Sequence, residues 1–314
     1  MSLTGYVVRR LTQLVPIVLG VTALVFFLIH LVPGDPARTI LGNHATPAKV
    51  ALLHKEWGLD KPLPVQYWRF LGRMLHGDLG SSLFYSVPAG RLVWQRLPPT
   101  LWLIGLGTLL AVLIAVPLAA LAATKRDRLP DHIVRAVPLV GLGFPQFWLG
   151  IMLLLAFGLN LGRGFPVGGY GTGALGHLHS MFLPSLTVAL AIAPILVRSL
   201  RASLLEVFES DYVTTARSKG LPERRVLVHH ALRNAVISTV SVLGVNIGYL
   251  VGGTLIVEQV FALPGIGQLM ITSIFNRDFP VVQAVTLAFA IMVVLVYLLT
   301  DVVHALLDPR VRFD

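Results

Sequence analysis

Residues 100–135 read "TLWLIGLGTLLAVLIAVPLAALAATKRDRLPDHIVR". From Thr100 to Ala123 there is no Asp, Glu, Lys or Arg, and the next twelve residues then carry Lys125, Arg126, Arg128 and Arg135. An uncharged run of about 20 residues, rising about 1.5 Å per residue as a helix, covers the hydrocarbon core of a bilayer. A basic stretch directly after it marks a loop retained on the cytoplasmic side. The pair of features predicts a membrane span followed by an inner loop.

The same pattern recurs outward in both directions. Leu11–Leu31, Ala136–Leu159, Met181–Val197, Ala235–Val257 and Val281–Thr300 are also free of Asp, Glu, Lys and Arg. The chain of 314 residues is 55% hydrophobic and 13% charged, with a mean hydropathy of +0.77. A soluble domain carries roughly 25% charged residues. The fold class expected is therefore all-α, a multi-pass membrane protein with six transmembrane helices. There is no cysteine, which excludes disulfides, thiol catalysis and cysteine metal sites.

Arginine and lysine sort the loops. The 198–233 connection holds Arg198, Arg201, Arg217, Lys219, Arg224, Arg225 and Arg233, whereas only Arg163 and Arg277 stand between spans three and four and spans five and six. With Arg9 and Arg10 before the first span and Arg310 and Arg312 near the end, both termini are expected inside. Arg9 and Arg10 before an apolar core also suit a signal peptide, but "HLVPGDPAR" offers no small-residue cleavage pattern, so an uncleaved anchor is expected. The expected organisation is 1–32 for the N-terminus and span one, 33–98 for an outer helical region, 99–303 for a five-span core and 304–314 for an inner tail.

The outer region reads as structured. Thr46 and Pro47 suit an N-cap and first helical residue, with Gly58 closing that helix, and a second helix around "VQYWRFLGRMLHG" stops at Gly77. "SVPAGRLVWQRLP", residues 86–98, is expected to lie along the interface before span two, with Trp94 as an anchor or a packing residue. In span three, Gly141, Gly143 and Pro145 predict a bend.

The longest inner loop holds an unusual basic segment, "TTARSKGLPERRV", residues 214–226. Leu204, Leu205, Phe208, Tyr212, Val213 and Ala216 recur at helical spacing. Gly220 suits the left-handed position past a helix end, and Pro222 with Glu223 suits the start of another helix. Three readings are open: a loop that only holds topology, a DNA-reading helix-turn-helix, or a docking element for a cytoplasmic partner. Both arms run straight into spans, which leaves no tether for reaching a DNA groove.

"DYVTTARSKGLPERRVLVHHALRNAV" resembles the cytoplasmic loop of ABC importer permeases, whose pattern is Glu-Ala-Ala, three residues, then Gly. Here Thr214-Thr215-Ala216 stands for the triplet and Gly220 keeps the glycine. Leu232-Arg233 replaces a later Leu-Pro pair, a departure shared with the dipeptide, oligopeptide and nickel branch. "LVPGDPA", "WGLDKPLPVQYW", "GDLGSS", "GFPQFWLG", "LPGIGQL" and the terminal "LDPRVRF" extend the resemblance over essentially the whole chain.

The resemblance implies a type I ABC importer permease fold in a bacterial cell membrane. It implies a second homologous permease subunit, one or two ABC ATP-binding subunits and an extracytoplasmic solute-binding protein as partners. ATP and magnesium would sit on the partner subunits, with no cofactor on this chain and no nucleic acid. Thr214, Thr215, Ala216, Arg217, Ser218, Lys219, Gly220 and Leu221 would dock on an ATPase subunit, where Arg217 and Lys219 either pair with its acids or serve as inside charges. Dipeptides or short oligopeptides are the expected solutes, with nickel chelates, glutathione and haem as alternatives.

The residues agree with a transport subunit that is not an enzyme. No G-x-x-x-x-G-K-[ST] loop occurs. An ion-driven transporter normally needs carboxylates or histidines within its spans, and here Asp301 and His304 lie only at the inner end of span six. Intramembrane protease motifs are absent, and His229 and His230, adjacent on a helix, do not share a face as two metal ligands would. Asn246, Tyr249 and Gln283 are candidates to line the path, and Asn246 suits an interhelical hydrogen bond equally well. Glu258 and Gln259 are candidates for an outer gate or a contact with the binding protein, where the carboxylate could also meet a substrate amine or simply cap local backbone.

Overall fold

The structure is a computed structural model that describes residues 3–30, 35–82, 84–160 and 164–307. Leu31, Arg163, Arg310, Arg312 and most of "LDPRVRF" therefore lie outside the described residues. In chain order the helices are α1 Leu3–His30, α2 Pro36–Leu41, α3 Pro47–Trp57, α4 Leu63–Leu75, α5 Ala89–Thr124, α6 Leu129–Leu142 and α7 Gln146–Leu153. They continue as α8 Gly173–Phe208, α9 Asp211–Ser218, α10 Glu223–Arg225, α11 Arg233–Val260, α12 Ile266–Phe275 and α13 Phe279–Leu307. Seven-residue π-helical stretches, Leu154–Asn160 and Val226–Leu232, extend α7 and join α10 to α11.

Among the described residues, four helices are long and apolar enough to cross a bilayer: Ala89–Thr124, Gly173–Phe208, Glu223–Val260 and Phe279–Leu307. They contain the second, fourth, fifth and sixth expected spans. Among the described residues α1 contributes the apolar stretch Val15–Phe27, and the third expected span is not one helix. Gly143–Pro145 separates α6 from α7. Proline disfavours the helical conformation of its predecessor, so the expected bend is instead a break, with Pro145 (φ −60°, ψ 141°) as the N-cap of α7. A second correction concerns residues 86–98: there is no separate interfacial helix, because Ala89 onward already forms the first turns of α5, with Trp94 exposed. Between α11 and α13 lies α12, a short apolar helix.

Two compact units emerge from the packing. One comprises Leu101–Leu263 with the described residues from Leu295 onward. Its core joins Ala111, Ala115 and Ala119 of α5 to Val188, Leu196, Leu200 and Leu204 of α8, and to Ala235, Leu250 and Val257 of α11. The alanines repeat every fourth residue and extend a stripe that begins at Gly107, where a Cβ would sit 2.7 Å from the side chain of Val188. Lipid tails are as apolar as leucine, so close backbone approach through small residues is what holds such helices together.

The other unit contains the residues up to Thr100 together with Pro264–Val294. The Thr46 side chain caps α3 at Lys49 N (3.4 Å), and Gly58 ends it at φ +64°. The hydroxyls of Thr22 and Tyr67 hydrogen-bond at 2.9 Å, fixing α1 to α4. The GDLGSS turn meets the start of α13: the Ser82 hydroxyl donates to Asp278, and a Cβ on Gly80 would lie 3.3 Å from Pro280. Thr100 accepts from Ile266 N at 3.0 Å, satisfying a donor at the start of α12 that the helix itself leaves open.

Candidate functional site

The stretch 207–226 forms a small folded unit of its own. Ser210, extended at ψ 148°, begins α9, and only Glu209 and Ser210 separate that helix from α8. Val213 and Ala216 point inward and pack with Val226, Val207, Phe208 and Leu221. Thr214, Thr215, Ser218, Lys219 and Gly220 remain exposed. An eight-residue helix is too short to be stable alone, so these apolar anchors hold it in place and leave its outer face available.

The end of α9 is a complete Schellman turn. Gly220 N donates to Arg217 O at 2.9 Å, and Leu221 N donates to Ala216 O at 3.3 Å. Gly220 has φ +76°, as anticipated from its position, and the hydrogen bonds satisfy carbonyls the helix would otherwise leave open. The turn reverses the chain so sharply that Arg217 meets Glu223: Nε donates to Oε1 at 2.9 Å and Nη2 to Oε2 at 3.2 Å. The guanidinium also lies 5.4 Å from the centre of the Phe208 ring. Arg217 thus pairs within its own chain, because the turn brings an acid six residues on to its side. Lys219 stays exposed.

Around this unit lie links that sequence spacing did not reveal. The Tyr212 hydroxyl accepts from Asn234 Nδ2 at 2.9 Å, tying α9 to α11. The Ser203 and Ser238 hydroxyls, 2.6 Å apart, link α8 to α11. Asp131, fully buried on α6, receives Nε and Nη2 of Arg201 at 2.6 Å each. This hydrogen bond from Arg201, opposed by burial, and a backbone N–H from Asp127 hold the Asp131 carboxyl below its usual value. Only the opposite charges of Asp131 and Arg201 were visible beforehand. Nothing in a separation of 70 residues announces their pairing.

The remaining candidates are dispersed. Asn246 Nδ2 donates to the carbonyl of Val242 in its own helix at 2.7 Å, and Tyr249 is exposed. Gln283 is buried and its amide donates to Val25 O at 2.9 Å, so its polar group joins α13 to the backbone of α1. Glu258 is fully buried while Gln259 is exposed, so the two neighbours do not share one surface. The break in span three adds Gln146: its Oε1 lies 3.7 Å from where a Gly253 Cβ would stand, and its buried Nε2 finds no hydrogen-bond partner among the described residues.

Residues 115–313 match the family described as "Binding-protein-dependent transport system inner membrane component", and residues 3–95 match its N-terminal companion, "Binding-prot-dependent transport system membrane comp, N-term". The glutathione transport system permease protein GsiC of Salmonella paratyphi A is 40% identical over 309 residues, which is 98% of this chain and 99% of that protein. The protein of the same description from Escherichia coli K12 is 38% identical over the same extents. In three dimensions the chain is similar to one in "Inward facing conformations of the MetNI methionine ABC transporter", with a TM-score of 0.57, 17% identity, and coverage of 69% of this chain and 96% of that one. It is also similar to one in "Crystal structure of an amino acid ABC transporter with histidines", with a TM-score of 0.51 and coverage of 68% and 93%. At 17% identity these likenesses concern the fold alone. With a family model matched from residue 115 to 313 and relatives aligned over 98% of its length, this chain belongs to the binding-protein-dependent transport system inner membrane components, the permease subunits of ABC importers of the peptide, oligopeptide and nickel type.

Proposed function

We propose that this chain is the permease half of an ATP-driven importer of short peptides, and that glutathione is the first solute to test. The observation that carries the reading is 40% identity to a glutathione permease across 98% of this chain and 99% of the relative. Glutathione is itself a short peptide, so this narrows the expectation of a dipeptide or oligopeptide solute. Both termini lie inside, by the charge asymmetry of the short loops. The outer face of α9, from Thr214 to Gly220, docks on an ATP-binding subunit, supported by its rigid seat on Val213 and Ala216 and its closed glycine turn.

In this reading the translocation path runs along α11. Asn246 and Tyr249 on α11 are proposed to line it, whereas Gln283 serves the packing of α1 and α13, because its amide is already spent on Val25. Gln259, exposed beside buried Glu258, is the member of that pair able to meet a binding protein.

The test is reconstitution of the chain with its partner permease, ATP-binding subunits and solute-binding protein in liposomes. Labelled glutathione should accumulate only with internal ATP and the binding protein, and should outcompete dialanine. Accumulation of dialanine with no competition by glutathione returns the solute to dipeptides. Uptake without ATP-binding subunits overturns the assignment.

A further inference from the structure

We propose that Asp131 and Arg201 are positioning residues for energy coupling: their ion pair clamps the short loop between α5 and α6 onto the end of α8, so that displacement of α9 drives both helices flanking that loop. The proposal rests on the docking role of α9 given above. It concerns how motion spreads after docking.

The geometry is that of a two-point clamp. At one end of the loop, Asp131 has 0% side-chain exposure and Arg201 15%, and two parallel bonds of 2.6 Å join them. At the other end, Arg126 Nη1 donates to Glu209 Oε1 at 2.8 Å. The signs are crossed, with base to acid at one point and acid to base at the other. Between them Asp127 takes φ +58° and its N–H donates to Asp131 Oδ2 at 3.0 Å, so the loop is closed on the same carboxylate that holds Arg201. Arg135 adds a weaker contact, 3.9 Å from Asp131. Beside the ion pair, Ala122, Ala123 and Val134 share an apolar core with Leu200 and Leu204.

The placement gives this arrangement a purpose beyond packing. Glu209 stands two residues before α9, and Arg201 lies eight residues earlier, about 12 Å along α8. Phe208, between them, is one of the residues on which α9 is seated. By chain connection alone, α9 moves only α8 and the Glu223–Val260 helix. With the clamp closed, α5 and α6 follow as well. A buried bidentate Arg–carboxylate pair suits that task because its fork geometry resists sliding and rotation. Removing one partner leaves a buried charge uncompensated, so the pair is hard to open by thermal motion.

The experiment uses the complete importer in liposomes with labelled glutathione or dialanine, whichever the unaltered complex takes up. Asp131→Asn should keep ATP hydrolysis within twofold while uptake per ATP falls at least tenfold. Arg201→Lys, which keeps the charge but loses the fork, should lower uptake per ATP two- to fivefold at normal complex yield. Because the chain has no cysteine, spin labels can be placed at cysteines introduced for Arg128 and for Glu206, which is exposed on α8 outside the docking face. Their separation should stay constant through the nucleotide cycle in the unaltered protein and change with nucleotide in Asp131→Asn.

If Asp131→Asn complexes form in lower yield but transport with normal uptake per ATP and a constant label separation, the pair is a folding contact and the proposal fails. If that variant cannot be recovered, Arg201→Lys decides: unchanged uptake per ATP overturns the proposal, and the stated fall supports it. If Gly220→Val uncouples the complex while both clamp variants do not, only the clamp is wrong. If none of the three uncouples, the docking role of α9 fails with it.

Discussion

The backbone N–H of Leu221 reaches back 3.3 Å to the carbonyl of Ala216, across a glycine at φ +76°. This one bond sets the length of α9, the direction in which the chain leaves it and the approach of Arg217 to Glu223. Among the described residues nothing lies within 4 Å of a Cβ added to Gly220, so any effect of substitution is conformational. A β-branched residue in the left-handed region costs on the order of 1–2 kcal/mol. That is too little to unfold the protein, but sufficient to fray a helix of about two turns.

Gly220→Val should therefore insert and pair with the second permease normally, yet lose ATPase association or hydrolyse ATP without uptake. The matched control is Gly77→Val. Gly77 also stands at positive φ (+80°), with nothing among the described residues within 4 Å of a Cβ, in a turn where Asp78 N donates to Arg73 O at 3.0 Å. It should leave uptake per ATP unchanged. Gly171 would be a poor control, since a Cβ there would lie 2.5 Å from the Gly176 carbonyl. Uptake and ATP hydrolysis measured on both variants settle the matter, and equal behaviour of the two counts against a docking role.

Arg217→Ala should be milder. The Arg217–Glu223 pair is well exposed, at 40% and 70% of the two side chains, and an exposed pair contributes about 0–1 kcal/mol. ATPase subunit recovery should fall no more than severalfold, and Glu223→Ala should act alike because both remove the same internal bond. A much larger loss in Arg217→Ala alone would show that this side chain also pairs with the partner.

Gly244 lets α11 approach α13: a Cβ there would stand 2.3 Å from Thr300 Cγ2 and 2.8 Å from its Cβ. Thr300 has little freedom to retreat, since it is β-branched and its hydroxyl donates to Val296 O at 2.8 Å. Gly244→Val should destabilise the subunit by about 1–3 kcal/mol, the usual range for overpacking. Thermal unfolding of the detergent-solubilised subunit should show a lowered midpoint. Combining Gly244→Ala with Thr300→Ala should recover part of what Gly244→Ala alone loses.

The Asp131 carboxyl is held below its ordinary value of 3.8, first by the hydrogen bond from Arg201. A carboxyl depressed on folding contributes stability above its unfolded value, and that contribution is lost as pH falls through the folded value. Unfolding midpoints should thus decline as pH is lowered below about 4, the unperturbed range of an aspartate. Asp131→Asn should flatten this decline while lowering the midpoint at neutral pH. An identical acid profile for the variant would show that the pair adds no pH-linked stability.

Features set by neighbours along the chain were readable in advance. Four of the expected spans fall within single long helices, because an uncharged apolar run must satisfy its own backbone hydrogen bonds wherever water is absent. The Thr46 cap, the Gly58 and Gly77 stops and the left-handed Gly220 follow from local backbone chemistry, which needs only the residue and its immediate neighbours.

Other features required the chain to return to the same place. Span three illustrates the limit: Gly143 and Pro145 signalled distortion, but whether a helix bends or breaks there depends on what can receive its open hydrogen-bonding groups. The bonds from Arg217 to Glu223, six residues on, and from Gln283 to the Val25 carbonyl, 258 residues back, likewise exist only once the chain has folded. Asp131 and Arg201 are ordinary loop charges in the sequence. Tertiary packing alone, by removing one of them wholly from solvent with the other against it, makes them a clamp.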